Sequence, residues 1–159
     1  MELPVARIIA EMEQTGIMIN AENIKSVAEK LKTFIDLEYN KIKEMAGSEL
    51  NPNSPKQLSA YLYDKLGLKG AKKNKSGYST DEDTLKDLRI TYPEYDSLIS
   101  SILKYREINK LYSTYTLNLL EYAKDGRIHT EFKQTGTATG RLSSSNPNMQ
   151  NIPQKGEYA

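Results

Sequence analysis

An apolar stripe that keeps helical spacing from Ala21 to Ala46 constrains this chain more than any other feature. The stripe recurs at near-heptad spacing, is broken once by Glu38, and consists of Ile24, Ala28, Leu31, Ile35, Ile42 and Met45. Asn20 precedes it as a candidate N-cap, so the pattern predicts one helix over residues 21–46, about 39 Å long at ~1.5 Å per residue. A helix of that length with a single apolar face needs a partner to cover it.

A second long pattern begins at Pro93 and supplies the predicted partner. Its apolar residues keep helical spacing over about 30 residues, and they are Leu98, Ile99, Ile102, Leu103, Leu111, Tyr115, Leu119 and Tyr122. We therefore expect the segment from Pro93 to about Tyr122 to lie antiparallel to the first long helix.

A shorter helix is predicted at the start of the chain. Val5, Ile8, Ile9 and Met12 form an i, i+3, i+4, i+7 stripe, which predicts a helix that ends at Gly16. The apolar residues 17–19 then predict a short extended link.

Two capping boxes predict further helices between the long ones. Ser54 with Gln57, and Pro55 at the first helical position, predict a helix from Pro55 to about Leu66. In the same way, Ser79 with Glu82 predicts a helix that runs to about Arg89.

After Gly126 the pattern changes from helical to extended. Residues 127–134 alternate between polar and apolar side chains and predict a strand. From Gly136 to Pro153 the chain has too few apolar residues for a core of its own and must lie against another part of the protein. The predicted fold class is mainly α (α+β), a long antiparallel helix pair with a small helical tip and a short β-extension.

Composition excludes several classes of protein. The 159 residues include 22 Lys and Arg against 21 Asp and Glu, a net charge of +1, so DNA binding would need local patches and not a polycation. The absence of Cys excludes disulfides, thiolate zinc sites and cysteine nucleophiles, and the single histidine, His129, argues against a histidine-ligated metal site. The sequence shows neither a membrane-spanning run nor a secretory signal, so we expect a cytoplasmic protein.

The segment from Gly67 to Gly77 is the clearest electrostatic feature. It contains three glycines, no acid, and four lysines: Lys69, Lys72, Lys73 and Lys75. Such a loop suits contact with nucleic-acid phosphates, and it equally suits a solvated surface loop.

A second candidate is the helical face that contains Arg106 and Lys110, which are four residues apart. Ser113, Thr114 and Tyr115 follow about one turn later, so this face could follow a phosphate backbone. An ordinary exposed face with an ion pair to Glu107 fits the same residues.

The polar segment near the C-terminus supplies a third candidate. Residues 137–144 form a hydroxyl-rich and glycine-rich turn with one arginine, Arg141, which is a weak pattern for a phosphate cradle. Asn148, Gln150 and Asn151 carry amides that could contact minor-groove acceptors or satisfy backbone groups within the loop.

Two other groups are interpreted as structural. Asp81, Glu82, Asp83 and Asp87 lie in the first turns of a predicted helix, where acids complement the helix dipole, so we do not interpret them as a metal site. His129, on the alternating strand, is interpreted as a packed or hydrogen-bonded residue without a catalytic role.

Taken in order, these segments resemble the polymerase domain of family A DNA polymerases, the bacterial DNA polymerase I type. The matching motifs span nearly the whole chain, and the last two are highly specific in combination. They are ELP … MEQTGI in residues 2–17, SPKQL in 54–58, GYST in 77–80, YR … KL … STY in 105–115, GRIHT in 126–130, TATGRLSS in 137–144 and PNMQNIP in 147–153.

The resemblance implies a domain organisation and a set of DNA contacts. Residues 1–20 would begin the polymerase domain, 21–124 would form the thumb, and 125–159 would form an incomplete N-terminal palm segment. The lysine loop would be the thumb tip that grips the duplex, and Arg141 would reach the minor groove at the primer terminus. The DNA contacts that it implies are Ser54, Lys56, Lys72, Lys73, Lys75, Arg106, Lys110, Ser113, Thr114, Thr137, Thr139, Arg141, Asn148, Gln150, Asn151 and Lys155.

The sequence departs from the family pattern at a few positions. Gln154–Lys155 stands where the family more often has Val-Arg, so a charge is kept but a bidentate fork is lost. Leu50 replaces a more usual aromatic residue.

The resemblance places the first catalytic aspartate beyond Ala159, with the fingers and the second carboxylate later still. Those carboxylates would hold the Mg2+ ions of the complete polymerase, so we assign no catalytic or metal-ligating residue here. We expect this chain to bind primer–template duplex for a DNA-directed DNA polymerase of replication or repair, but not to catalyse nucleotide addition alone.

Two alternatives remain open for the same residues. The chain could be the N-terminal half of a split polymerase that needs a second chain with the rest of the palm and the fingers, or a noncatalytic DNA-binding remnant. We expect nucleoid association in a bacterium, or the host cytoplasm for a viral source. A plain helical adaptor would require the ordered motifs to be coincidental.

Overall fold

The computed structural model describes residues 2–69, 73–74 and 77–152. The protein is mainly helical, as predicted, and its α-helices are α1 (Glu2–Thr15), α2 (Ala21–Ala46), α3 (Pro55–Ser59), α4 (Glu82–Thr91), α5 (Asp96–Lys110) and α6 (Asn118–Glu121). Two π-helical segments, Ala60–Lys65 and Leu111–Leu117, follow α3 and α5, and a 3₁₀ turn, Pro93–Tyr95, precedes α5. Among the described helices, none is both long enough and apolar enough to cross a membrane.

The strands are short and antiparallel. They are β1 (Ile17–Met18), β2 (Lys73–Asn74), β3 (Gly77–Tyr78), β4 (Ala123–Lys124), β5 (Arg127–Ile128), β6 (Glu131–Lys133) and β7 (Ser143–Ser145). They form one sheet in the order β1-β5-β4 and two hairpins, β2-β3 and β6-β7. The strand predicted over residues 127–134 is therefore two strands that belong to different sheets.

The chain divides into two compact units. Unit 1 comprises Met1–Lys30 with Leu111–Ala159, and unit 2 comprises Leu31–Lys110. These boundaries fall within α2 and at the end of α5, not at the limits of the predicted thumb and palm segments. The thumb and palm division remains a prediction.

In unit 1, the end of α1 is fixed against strand β5 and the residues that follow it. Gly16 ends the helix with φ +64°, as predicted, and its N–H donates to the Met12 carbonyl at 2.9 Å. The Arg127 guanidinium donates to the Thr15 and Gly16 carbonyls at 3.1 and 3.2 Å. Cations at a helix C-terminus satisfy carbonyls that the helix itself leaves unpaired.

The core of unit 2 joins α2, α3, α4, α5 and the first π-helical segment. Its fully buried side chains are Ile42, Leu58, Leu62, Leu85, Ile99 and Ile102. In the same unit the Tyr39 and Tyr105 ring centroids lie 6.1 Å apart, so α2 and α5 touch, as the two long apolar stripes predict.

Helix capping agrees with the sequence at two sites and differs at a third. The Asn20 side chain accepts from the Asn23 N–H at 3.0 Å, and Ser54 Oγ accepts from the Gln57 N–H at 3.4 Å, so both predicted N-caps are confirmed. The predicted cap at Ser79 is wrong. Asp81 caps α4 by accepting from the Thr84 N–H at 2.8 Å, because its carboxylate is a stronger acceptor than the serine hydroxyl, which donates to it.

The long helix predicted from Pro93 to Tyr122 changes geometry three times. A 3₁₀ turn opens it, and the π-helical segment Leu111–Leu117 separates α5 from α6. A π-helical turn contains more residues than an α-helical turn, so the spacing of an α-helical stripe does not hold within that segment. Tyr122, placed on that stripe by the sequence, is exposed.

Substitution of Gly16 tests the close packing of the end of α1 against His129 and Ile128 in unit 1. An added Cβ would lie 2.8 Å from two His129 ring atoms and 2.9 Å from the Ile128 carbonyl oxygen, in a backbone conformation that side chains disfavour. At Gly47, φ is also positive, +66°, but nothing lies within 4 Å. We expect Gly47→Ala to lower the free energy of unfolding by about 1 kcal/mol and Gly16→Ala by at least about 1 kcal/mol more, measured by urea denaturation. Equal losses would contradict this packing.

The pH dependence of stability tests the burial of Tyr63. Burial, and secondarily Asp81, raises the pKa of the Tyr63 hydroxyl to about 12, and that hydroxyl donates to the Ser79 carbonyl. The unfolded chain releases this proton near pH 10, so the stabilisation is complete below pH 10 and is lost as the pH rises toward 12.

We expect the wild type to lose up to about 3 kcal/mol more than Tyr63→Phe over that range, by urea denaturation at each pH. Tyr122→Phe, at an exposed tyrosine, is the matched control and should behave as wild type. Parallel curves for wild type and Tyr63→Phe would contradict the burial.

Candidate nucleic-acid interface

Ser54 and Lys56 lie in a tight turn at the start of α3 in unit 2. The Ser54 hydroxyl is engaged as the N-cap, and the Gln57 side-chain oxygen accepts from the Asn51 N–H at 3.1 Å. The Gln57 contact differs from the reciprocal capping box, in which that side chain would return to Ser54 itself. Lys56 is exposed in the first turn, so its ammonium can reach an anion outside the protein.

Arg106 does not lie on an open helix face. Its Nε donates to the Pro52 carbonyl at 2.7 Å, one terminal nitrogen donates to the Thr80 carbonyl, and the other lies 3.4 Å from Thr80 Oγ1. Burial lowers the pKa of this guanidinium below its usual value. The structure thus gives Arg106 internal partners, and its predicted contact with DNA remains a prediction.

Lys110 is exposed at the last residue of α5, in unit 2. Its place at a helix C-terminus suits a cation, because the helix dipole is negative there. The side chain has an interaction within the protein, so a phosphate would have to compete with it.

In unit 1, the second π-helical segment presents Ser113 and Thr114 to solvent. The next residue, Tyr115, donates its hydroxyl to the Asn151 main-chain carbonyl. This bond brings two predicted DNA-contact segments together, although they are far apart in sequence. π-helical turns are frequent at functional sites.

The Asn148–Asn151 loop is braced by hydrogen bonds from the side chains of Asn148 and Ser144. Asn148 Oδ1 accepts from Ser144 Oγ at 3.2 Å and from the Gln150 N–H at 3.0 Å, and Ser144 Oγ accepts from the Met149 N–H at 3.1 Å. Because Asn148 Oδ1 is occupied, its amide presents donors to the outside. Asn148, Gln150 and Asn151 are all exposed.

Arg141 lies in the connection between β6 and β7. The Thr137 hydroxyl donates to the Arg141 carbonyl at 2.7 Å, and the Gly140 N–H reaches the Thr137 carbonyl at 3.4 Å, with φ +72° at Gly140. Thr139 Oγ1 lies 3.5 Å from Thr137 Oγ1. These contacts fix the main chain of the loop, and the Arg141 side chain is exposed.

Four predicted contacts cannot be placed. Lys72, Lys75 and Lys155 lie outside the described residues, as does the side chain of Lys73, whose backbone begins β2. The other predicted residues divide between the units. Unit 2 contains Ser54, Lys56, Arg106 and Lys110, whereas unit 1 contains Ser113, Thr114, Thr137, Thr139, Arg141, Asn148, Gln150 and Asn151.

Sequence patterns did not indicate the residues that support these loops. Thr130 is buried, and its hydroxyl lies 3.1 Å from the Ser145 carbonyl oxygen and 2.6 Å from that of Pro147. Tyr115 appeared only as a neighbour of the basic face, and no spacing rule connects it to Asn151. Contacts of a side chain with a distant main-chain carbonyl leave no periodic signal in the sequence.

Three of the four acidic residues that were interpreted as structural lie at the start of α4. Asp81 caps α4, and Glu82 and Asp83 lie in its first turn. Among the described residues, no group of three or more His, Cys, Asp and Glu could hold a metal ion. His129 is hydrogen-bonded, as predicted, through Nδ1 to the Glu13 carbonyl at 2.8 Å.

Comparison with known proteins identifies the family. The model of the family described as "DNA polymerase family A" matches residues 21–159 of this chain. DNA polymerase I of Lactococcus lactis subsp. cremoris is 45% identical over 154 residues, which cover 96% of this chain and 17% of that protein. DNA polymerase I of Helicobacter pylori strain 26695 is 48% identical over 153 residues, which cover 96% of this chain and 16% of that protein.

A solved structure is similar over almost the whole chain. It is the polymerase domain of Pol1 from M. smegmatis in complex with DNA primer-template and dNTP, with a TM-score of 0.92 and 40% sequence identity. The similarity covers 99% of this chain and 28% of that one. The chain thus spans about one sixth of the length of the curated relatives it matches. On the family match and these identities, the chain belongs to DNA polymerase family A.

Proposed function

We propose that this chain binds primer–template duplex for a DNA-directed DNA polymerase. The observation that carries the proposal is the anchored amide loop of unit 1, where Asn148, Gln150 and Asn151 are exposed while Tyr115 and Ser144 fix the main chain. The M. smegmatis structure, which is similar over 99% of this chain, contains DNA primer-template. The contacts of unit 2 would belong to the thumb, whereas unit 1 would supply the palm contacts and the thumb contacts at Ser113 and Thr114.

The chemistry of the exposed groups suits contact with any correctly paired duplex. Amide and guanidinium donors on Asn148, Gln150 and Arg141 would contact minor-groove acceptors, which occupy similar places in A·T and G·C pairs. Lys56, Lys110 and the Lys72, Lys73 and Lys75 cluster would contact phosphates. The minor-groove contacts would sense the geometry of a pair without reading its sequence, and the phosphate contacts would position the duplex independently of its sequence, as copying requires.

The larger reaction is template-directed nucleotide addition in replication or repair, and we propose it for the whole polymerase. Mg2+ is expected there, but the described residues form no group that fits such a site, so we derive no step through it. The rest of the palm and the fingers would come from the same polypeptide or from a second chain. Duplex binding would place the protein at the nucleoid of a bacterial cell.

A titration of labelled primer–template duplex at several salt concentrations tests the proposed binding. We expect affinity to fall with salt at a logarithmic slope of about −0.9 per phosphate contact. Substitution of Lys72, Lys73 and Lys75 by Gln should make the slope shallower by an amount that corresponds to up to about 3 phosphate contacts. The matched control replaces three exposed lysines of α2, Lys25, Lys30 and Lys32, and changes the net charge equally. Equal effects of both triple variants would contradict a local grip.

A primer-extension assay tests the second half of the proposal. We expect the isolated 159-residue chain to leave a primer unextended with Mg2+ and all four deoxynucleotides, because the resemblance assigns no catalytic carboxylate to these residues. A complete family A polymerase under the same conditions is the positive control. Extension by the pure chain would overturn the assignment of the chemistry to other parts of the polymerase.

A further inference from the structure

Arg106 connects two segments of unit 2 that are far apart in sequence. Its partners, Pro52 and Thr80, are 54 and 26 residues away, and all three side-chain nitrogens have an oxygen of these residues within 3.5 Å. Thr80 is buried, and so is Pro52. One planar group therefore fixes the distance between two loop backbones from the inside.

Both segments lead into features of the proposed interface. Pro52 belongs to the turn before α3, where the Ser54 N–H donates to the Asn51 carbonyl at 3.0 Å and Lys56 is exposed. Thr80 lies between β3 and the Asp81 cap of α4. The far end of α3 also lies near the β2-β3 hairpin, because a Cβ added at Gly77 would be 3.9 Å from Ser59 Oγ.

We propose that Arg106 is a positioning residue, which holds the turn before α3 and the Thr80 segment together so that Lys56 meets the DNA phosphates. The inference rests on the proposed duplex binding. It gives Arg106 a positioning role, whereas the sequence resemblance implies a direct contact with DNA.

The geometry favours a positioning role for Arg106 over direct contact with a phosphate. A guanidinium offers five N–H donors in a rigid fork, which matches two carbonyls on different loops. If Arg106 turned outward to a phosphate, it would give up the bonds to the buried Pro52 and Thr80 carbonyls. A buried carbonyl that loses its donor is costly.

A double-mutant cycle on the full 159-residue chain distinguishes the positioning role of Arg106 from a direct phosphate contact. Kd for labelled primer–template duplex is measured for Lys56→Gln, Arg106→Gln and the double variant, well below the melting temperature. We expect each single change to weaken binding about three- to tenfold, and Arg106→Gln to have less than a twofold effect once Lys56 is absent. A direct phosphate contact predicts additive effects and a further loss of about 0.9 in salt slope.

Two variants sharpen the comparison. Arg106→Lys keeps the charge but cannot bridge both carbonyls, so we expect it to bind as weakly as Arg106→Gln; recovery to wild-type affinity would overturn the inference. Arg89→Gln removes another partly buried arginine of unit 2, which pairs with Asp96 at 2.7 Å. It controls for general destabilisation and should leave the Kd within twofold of wild type. A loss of affinity equal to that of Arg106→Gln would indicate a merely structural effect and overturn the inference.

Amide hydrogen exchange without DNA provides a test that does not depend on duplex binding. We expect Arg106→Gln to increase exchange at the Ser54, Gln57 and Thr84 N–H groups at least tenfold, whereas Arg89→Gln does not. If the wild type fails to bind duplex, the proposed function fails, and exchange still decides whether Arg106 holds the two segments. Unchanged exchange at these amides would overturn the inference even if the wild type binds DNA.

Discussion

Burial of apolar side chains from four helices in unit 2 is the interaction on which the exposed features of that unit depend. Fully buried side chains such as Ile42, Leu62 and Ile102 each contribute about 1.5–3 kcal/mol relative to exposure. This packing fixes where α3 begins, and hence where Lys56 projects. It also sets the distance that Arg106 spans between Pro52 and Thr80. Since loops gain little stability themselves, their conformation follows from the core and from the polar bonds made to their main chain.

Unit 1 depends more on polar bonds between side chain and main chain. Ile128 is fully buried, but the strands are two or three residues long and cannot hold one another by pairing alone. Glu13 accepts from the Phe132 N–H at 2.6 Å, and Arg127 closes the end of α1. The Thr130 hydroxyl reaches one carbonyl at the end of β7 and one just after it. Such bonds are individually modest, yet an unpaired buried carbonyl would cost more than the bond gains.

The helices could be predicted because their signals are local. The bounds of α2 follow from a periodic stripe and the Asn20 cap, and Pro55 begins α3 because the Ser54 and proline preferences agree. The cap of α4 was misplaced because Ser79 and Asp81 are both good N-cap residues, and only their mutual contact decides between them. The partners of Arg106 could not be predicted, since its spacing from Lys110 suggests an open face and its carbonyl partners are 26 and 54 residues away.

Many of the supporting contacts share one chemical form, a side chain bound to a main-chain carbonyl. Arg106, Arg127, Tyr63, Thr130 and Tyr115 all act in this way. A carbonyl is present at every residue, so such a contact fixes the path of a loop without limiting which side chains the loop presents. At Asn151 the carbonyl is held while the amide is exposed. A surface built like this holds the main chain from which its donors project, which suits contact with minor-groove acceptors of any sequence.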